Sequence, residues 1–242
     1  MSGHSKWKNI MHKKEKTDAQ RAKVFTKIGK EMAVAVREGG PDPVSNTKLR
    51  DLIAKAKSLN VPNDNIERVI KKASGADGVQ YEVIVYEGYG PGGVAVIVET
   101  ATDNRNRTAG DVRHYFDKFG GNMGSTGCVS YMFSEKGVVV CSGVEDEDAF
   151  MEAALECGAI DFTTDGEGGA EVFTDVSELA SVRDALSAAG YTIESAENEK
   201  IPSTYVRLTE QEHIDKMHRL LDTLEDNDDV TSVWHNWDED DE

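Results

Sequence analysis

Residues 86–108 combine a glycine-rich turn, a β-branched run and a polar segment, and together these restrict the local fold closely. The apolar run 94–98 follows the glycines directly and predicts a strand. The spacing Gly88-x-Gly90-x-x-Gly93 fits a dinucleotide-binding fingerprint, but that motif requires a helix after the glycines. We therefore interpret the glycines as a strand-to-strand turn in which glycine supplies positive φ. Nucleotide binding is the less favoured alternative.

The polar segment carries two arginines set between asparagines, directly before a predicted helix over residues 104–119. Two interpretations of it stay open. In the first, Asp103 or Asn104 caps the helix and the arginines are solvated. In the second, the segment makes a secondary contact with RNA or a partner protein. The residues of that candidate contact are Asn104, Arg105, Asn106 and Arg107.

The net charge of −18 is distributed unevenly along the chain. Residues 1–75 hold 17 Lys and Arg against 8 Asp and Glu, whereas residues 76–242 hold 10 against 37. A basic module can bind a polyanion while an acidic body is repelled from it, which would orient the protein on a nucleic acid. The alternative for the acidic body alone is that its charge keeps the protein soluble.

The first sixteen residues are basic, with an aromatic residue among the lysines and no apolar face wide enough to bury. This pattern suits an arm that contacts a nucleic-acid backbone and stacks one base. The alternative is a solvated tail. We favour nucleic acid because tryptophan is an unusual residue to leave exposed in a passive tail. The candidate residues of the arm are His4, Lys6, Trp7, Lys8, His12, Lys13, Lys14 and Lys16.

Three amphipathic helices are predicted next, over residues 18–38, 46–59 and from Asn63 to a stop at Gly75. Together they would form a small bundle. The first helix carries an apolar stripe at helical spacing and a separate basic stripe that includes Lys23, Lys27 and Lys30.

The rest of the chain alternates strands and helices. Residues 81–86, 94–100, 104–119 and 128–133 read as ββαβ, and residues 137–199 read as βαββαβ, the ferredoxin-like order. The segment after residue 203 supplies a helix and a strand that the ββαβ unit lacks. We therefore predict an α+β protein with an N-terminal three-helix domain and two ferredoxin-like α+β domains, one inserted in the other. The predicted domains are residues 1–77, the discontinuous 78–134 with 203–238, and the inserted 135–202.

Catalytic and metal-binding motifs are missing from the sequence. It has no H-E-x-x-H, G-x-S-x-G or P-loop lysine, and its three cysteines have no C-x-x-C spacing. We expect no enzyme activity, no cofactor and no metal. The cysteine usage suits a reducing, cytoplasmic compartment, and no apolar run reaches the length of about 18 residues that a membrane helix needs.

Four segments of the chain closely resemble the YebC/PmpR family, which includes the mitochondrial translational activator of cytochrome oxidase subunit one. They are GHSKWKNIMHKKEKTDAQRAKVFTKI, LNVPNDNIERVIKKASG, YEGYGPGGVAVIVETATDNRNRT and GGNMGSTGCVSYMFSEKGVV. The resemblance implies an N-terminal helical domain, two α+β domains and, with the motif at the start of the chain, a bacterial cytoplasmic member. It also implies basic nucleic-acid contacts, with minor departures at Lys8, Met11, Glu15 and Thr17. Those contacts fall on His4, Lys6, Trp7, His12, Lys13, Lys14 and Lys16, and on Arg21, Lys23, Lys27 and Lys30 in the first helix.

The resemblance leaves a choice between two functions. The favoured one is a ribosome-associated translation factor that binds ribosomal RNA through its basic N-terminal domain. The alternative is a DNA-binding transcriptional regulator, which needs a helix with base-reading side chains. The third helix offers Asn63, Asn65, Arg68 and Lys71 for that purpose. Neither function calls for a membrane or a small-molecule substrate.

Overall fold

The computed structural model describes residues 18–75 and 78–239 of the chain. Its N-terminal part is a bundle of three helices: α1 (Asp18–Gly39), α2 (Thr47–Ser58) and α3 (Asn63–Ser74). These helices confirm the predicted ones to within a residue or two at each end. The predicted apolar stripe of α1 forms the centre of the bundle. Its core residues include Ile28, Met32, Val36, Leu49, Ala56 and Ile66.

Asn46 fixes the turn between the first two helices. Its Oδ1 accepts the Leu49 backbone N–H at 3.0 Å and so caps α2. Its side-chain amide donates to the carbonyls of Ala35 and Gly40 at 2.7 and 2.8 Å. One buried side chain therefore satisfies backbone groups at the end of one helix and the start of the next.

The second part is a sheet packed against two helices. Its residues come from two stretches of the chain, one before and one after residues 133–203. The elements of this second part are β1 (Glu82–Tyr89), β2 (Ala95–Thr102), α4 (Arg105–Lys118), β3 (Asn122–Met123), β8 (Val206–Arg207), α7 (Gln211–Asp226), β9 (Val230–His235) and β10 (Trp237–Asp238). Four antiparallel strands lie in the order β3-β1-β2-β9, with the hairpin strands β1 and β2 at the centre. A short parallel pair, β8 with β10, lies outside this sheet.

The core of this part lies between the sheet and its helices. Alternate residues of the valine run, Val94, Val96 and Val98, contribute one side of it and are fully buried. Helices α4 and α7 contribute the other side, with Phe116, Met217, Leu220 and Leu224. Ala95 and Ile97, which point to the other face of the sheet, are buried as well, so this strand is covered on both faces.

The third part has the predicted order βαββαβ. Its strands lie in the order β5-β6-β4-β7 and are all antiparallel, which is the ferredoxin-like arrangement. Its core includes Val139, Phe150, Val172, Val182 and Leu186. The elements are β4 (Phe133–Ser142), α5 (Glu147–Glu156), β5 (Asp161–Thr164), β6 (Gly169–Thr174), α6 (Leu179–Ala188) and β7 (Thr192–Pro202).

The fold is therefore α+β, with an N-terminal helical part and two α+β parts. Residues 133–203 form one compact unit, and the helical bundle forms the other together with the β3-β1-β2-β9 sheet and its helices. The predicted three-domain boundaries stay a prediction. Three separate hydrophobic clusters, one in each of the three parts, support them.

The predicted strand over residues 128–133 is wrong. The chain forms a two-residue strand, β3, and later a 3₁₀ turn over Ser130–Met132 before β4 begins at Phe133. The reason is a buried carboxylate: Glu87 accepts the N–H groups of Val129 and Ser130, so a side chain takes the donors that a neighbouring strand would use.

The glycine turn between β1 and β2 is confirmed. Gly92 and Gly93 adopt positive φ values of 67° and 81°. Gly88 serves close packing instead, because a Cβ there would lie 2.5 Å from the Asn122 carbonyl oxygen. At Gly90 a Cβ would lie 2.8 Å from Met217 Sδ. The glycine spacing thus reflects a tight turn and close backbone approach, and a strand follows it.

Candidate nucleic-acid interface

Lys30 of α1 and Arg107 of the 103–107 segment converge on Asp229, a residue that is 5% exposed. Lys30 Nζ lies 2.6 Å from Asp229 Oδ1, and Arg107 Nη2 lies 2.7 Å from Oδ2. The Thr108 hydroxyl also contacts Oδ2, at 2.8 Å. Burial by itself raises the pKa of Asp229, but the hydrogen bonds from Lys30, Arg107 and Thr108 outweigh it and lower the pKa to about 2.

Backbone contacts hold Asp229 in position. Its N–H donates to Asn227 Oδ1 at 2.8 Å, and its carbonyl accepts the Ala101 N–H at 2.8 Å. The side chain of Asn227 in turn donates to the Tyr115 hydroxyl at 3.1 Å. These contacts fix the backbone that carries the carboxylate.

The 103–107 segment begins α4 with an asparagine cap. Asn104 Oδ1 accepts the Arg107 N–H at 3.1 Å, which is the capping interpretation made from the sequence. The Arg107 guanidinium bridges Asp103, at 2.9 Å, and Asp229. Arg105 and Asn106 lie on the exposed first turn of α4. Arg107 is thus paired with two carboxylates of the same chain, whereas Arg105 and Asn106 face solvent.

Three of the predicted basic residues of α1 face the end of α7 and the segment after it. Lys23 Nζ contacts Asp226 Oδ1 at 2.6 Å, and the Lys27 ammonium donates to the Glu225 carbonyl. Lys30 also donates to the Asp228 carbonyl at 2.8 Å. The C-terminus of a helix carries partial negative charge on unpaired carbonyls, so lysines are favoured there.

The four helix positions predicted to bind nucleic acid thus differ in environment. Arg21 is exposed, and Lys23 keeps 40% of its side chain exposed. The Lys30 side chain is only 11% exposed and is held by a buried carboxylate. The predicted arm residues, from His4 to Lys16, lie outside the described residues.

A polar cavity of about 380 Å³ lies beside the Asp229 cluster. Four carboxylates line it together with Lys30 and Arg107, so its formal charge is negative. Such a surface repels phosphate groups. The lining residues are Lys30, Tyr81, Asp103, Arg107, Asp111, Asn227, Asp228 and Asp229.

Other exposed basic residues of the helical bundle lie on α3, on α2 and at the end of α1. On α3 they are Arg68, Lys71 and Lys72, which share one helical face at spacings of three and four residues. The other exposed ones include Arg37, Lys48, Arg50 and Lys57. Sequence reasoning assigned Arg68 and Lys71 to the DNA-binding alternative alone.

Sequence reasoning missed a second organised site, the loop over residues 124–130. The Glu87 side chain is buried, and its carboxylate accepts three backbone N–H groups, from Gly127 at 2.7 Å, Val129 at 2.9 Å and Ser130 at 2.8 Å. Burial raises the pKa of Glu87, and the N–H donors more than offset this, so the pKa is lowered. The signal in the sequence was an acid, Glu87, that follows the β-branched residues of β1.

The part of the chain that the structure describes contains no group of three His, Cys, Asp or Glu residues able to hold a metal ion. Over the same residues, no helix has the length and apolar character to cross a membrane.

Comparison with known proteins accounts for nearly the whole sequence. A family model described as the TACO1/YebC protein N-terminal domain matches residues 5–76, and one described as the TACO1/YebC second and third domain matches residues 81–237. The chain belongs to the TACO1/YebC family. This confirms the resemblance found in the sequence motifs.

Relatives within the TACO1/YebC family are similar over their full length. A protein of Acetivibrio thermocellus is 58% identical over 98% of this chain and 99% of its own. A protein of Caldicellulosiruptor bescii is 58% identical over 100% of both chains. Both bear the name "Probable transcriptional regulatory protein". The crystal structure of a conserved hypothetical protein from Aquifex aeolicus is 44% identical, with a TM-score of 0.85 over 94% of both chains.

Proposed function

We propose that this TACO1/YebC-family chain is a non-enzymatic, nucleic-acid-binding regulator of gene expression. More specifically, we propose that it is a ribosome-associated translation factor in the cytoplasm. The observation that carries the proposal is the charge asymmetry, with 17 basic against 8 acidic residues in residues 1–75 and 10 against 37 in the remainder. A basic module binds phosphates, and an acidic body limits indiscriminate coating of nucleic acid.

The main contacts in this proposal come from the N-terminal arm and the exposed side of the helical bundle. The arm supplies its lysines and histidines, with Trp7 as a stacking platform. Arg21 and the exposed face of α3 extend the basic surface. Lys23, Lys27 and Lys30 contribute less, because they already contact residues 225–229. Asn104, Arg105, Asn106 and Arg107 form the secondary contact, with Arg105 and Asn106 outermost.

The ribosome suits a chain of this charge because it presents RNA and basic proteins side by side. A net charge of −18 would oppose approach to bare duplex DNA at long range. Through the same acidic surface the body could face basic ribosomal proteins while the arm contacts RNA.

A DNA-binding transcriptional regulator is the second candidate. The names of the relatives favour it. So does the exposed face of α3, where Arg68 and Lys71 could reach base edges in a major groove.

Co-sedimentation with ribosomes separates the two candidates. The full chain is layered with ribosomes on a sucrose gradient at low and physiological salt, and the same preparation is used for footprinting on duplex DNA. We expect co-sedimentation that weakens with salt and no specific footprint. Protein that stays at the top of the gradient, yet protects a defined duplex sequence, would establish the transcriptional alternative.

A pair of double variants tests the basic arm. Lys13→Gln with Lys14→Gln removes two arm charges, and Arg183→Gln with Lys216→Gln removes two charges from the acidic body. Both changes alter the net charge equally, so a general electrostatic effect would be the same for both. We expect ribosome binding to weaken only in the arm variant. Equal weakening would refute binding through the arm.

A further inference from the structure

Helix α5 exposes two apolar side chains on the flank next to its core-facing residues. Phe150 and Ala154 are fully buried on the inner face. Met151 and Leu155 are 39% and 56% exposed, and their spacing of four residues puts them side by side on one exposed flank of the helix. Ile160, which is 54% exposed, follows just after the helix. We refer to Met151, Leu155 and Ile160 as the α5 apolar stripe.

The charge around this stripe is of one sign. Residues 137–182 contain twelve Asp and Glu and no Lys or Arg. At 100° per residue, Glu147 lies on one side of the Met151–Leu155 pair, and Asp148 and Glu152 lie on the other. These three acids are exposed, as are Glu156 and Asp161 nearby. The acids of α5 exceed what its N-terminus needs, since the side chain of Asp146 already caps it.

The acidic surroundings determine which partner can cover the stripe. A second copy of the chain would bring the same acidic residues together, and like charges facing each other are unfavourable. Nucleic acid and an anionic lipid surface are repelled for the same reason. A basic partner gains from both features, because its charges complement the rim and its apolar side chains cover the stripe.

We propose that the α5 apolar stripe docks a basic amphipathic helix of a partner protein. Its apolar residues, three or four positions apart, pack on Met151 and Leu155, with Ile160 extending the contact. Its Lys and Arg residues face Asp148, Glu152 and Glu156. The apolar stripe supplies the binding energy, and the acidic rim speeds encounter and selects for basic partners. The residues of this site differ from those of the nucleic-acid contacts proposed above, and the proposal does not depend on those contacts.

A pair of synthetic peptides tests the proposal on the full chain. The first is an 18-residue peptide of leucine and lysine with all leucines on one helical face. The second has the same composition in an order that scatters the leucines around the helix. Binding of each fluorescently labelled peptide is measured by anisotropy. We expect the amphipathic peptide to bind at least about tenfold more tightly, since a difference of that size corresponds to one well-placed apolar contact.

Substitutions locate the binding surface. The double variant Met151→Gln with Leu155→Gln is expected to weaken binding of the amphipathic peptide by about tenfold or more. Val44→Gln is the matched control, because Val44 is an 85% exposed apolar residue in the helical part of the chain. Both substituted surfaces are exposed, and circular dichroism verifies that the variants fold. Equal binding of the two peptides would show attraction by charge alone, and unchanged binding in the α5 variant would place the peptide elsewhere. Either result overturns the proposal.

Discussion

Lys30 Nζ lies 2.6 Å from Asp229 Oδ1, and the two side chains are only 11% and 7% exposed. This pair joins helix α1 to the segment that leads into β9. The second oxygen of the same carboxylate binds Arg107 from the start of α4. A lysine with the sequence signature of a nucleic-acid contact thus also connects the helical bundle to the neighbouring sheet.

Replacing Asp229 by asparagine should destabilise the protein strongly. The substitution leaves Lys30 and Arg107 without a buried counter-charge, and breaking such a pair costs about 3 kcal/mol or more. Asp226→Asn is the control, because Asp226 pairs with Lys23 at the surface with 72% of its side chain exposed. That change should cost less than about 1 kcal/mol. Urea unfolding of both variants measures the difference, and equal losses would contradict a structural role for Asp229.

The same carboxylate should give the protein a specific acid sensitivity. The pKa of Asp229 is lowered from 3.8 to about 2 in the folded state. A lowered carboxyl pKa stabilises the fold above the unfolded-state value and loses that contribution as the pH falls through the folded value. The free energy of unfolding should therefore decrease between about pH 4 and pH 2, by about 2 kcal/mol from this group. In Asp229→Asn this part of the decrease should be missing, and an identical pH profile in the variant would refute the assignment.

Much of the fold followed from local patterns. The stripe that includes Ile28, Met32 and Val36 predicted α1 and its buried face, because helical periodicity reports on burial directly. The β-branched run over residues 94–98 and the glycines before it predicted β2 and the turn. Element order alone then indicated the α+β class.

Interactions between distant residues could not be read from the sequence. Asp229 lies 199 positions from Lys30 and 122 from Arg107, so no periodicity connects them. The strand predicted at residues 128–133 failed for the same reason, since it was the remote carboxylate of Glu87 that took its N–H donors. The sequence alone does not show whether the partner of a charged side chain is a phosphate or another residue of the chain.

Two glycine substitutions should have opposite effects on stability. In Gly88→Ala the new Cβ would lie 2.5 Å from the Asn122 carbonyl oxygen, so the β1–β3 pairing must shift. We expect a loss of about 1–3 kcal/mol, as for overpacking of a close contact. In Gly110→Ala the Cβ meets nothing within 4 Å in the middle of α4. There alanine should stabilise the helix by about 0.5–1 kcal/mol. Thermal unfolding compares the two, and a stabilised Gly88→Ala would exclude the close-approach explanation.

Glu87→Gln should loosen the loop over residues 124–130 without unfolding the sheet. A glutamine offers one acceptor oxygen and an NH₂ group, and the latter would face backbone N–H donors. We expect a cost of about 1–3 kcal/mol. Amide hydrogen exchange at Gly127, Val129 and Ser130 should become faster, whereas exchange in β2 should change little. Unchanged protection of the three amides would show that the carboxylate does not hold the loop.

The proposed stacking role of Trp7 predicts a specific pattern of RNA binding. An aromatic side chain that stacks on a base contributes about 1–3 kcal/mol, so Trp7→Ala should weaken binding of single-stranded RNA by about 5- to 150-fold. Lys13→Ala should weaken RNA binding less, because this change removes one phosphate contact.

The losses of affinity in Trp7→Ala and Lys13→Ala should also differ in their salt dependence. Removal of a phosphate contact lowers the slope of log affinity against log salt by about 1, whereas loss of a stacked base leaves that slope unchanged. Titrations of the full chain with a labelled oligonucleotide at four salt concentrations give both quantities. If Trp7→Ala lowers the slope as Lys13→Ala does and weakens binding no more, then the arm holds RNA by charge alone.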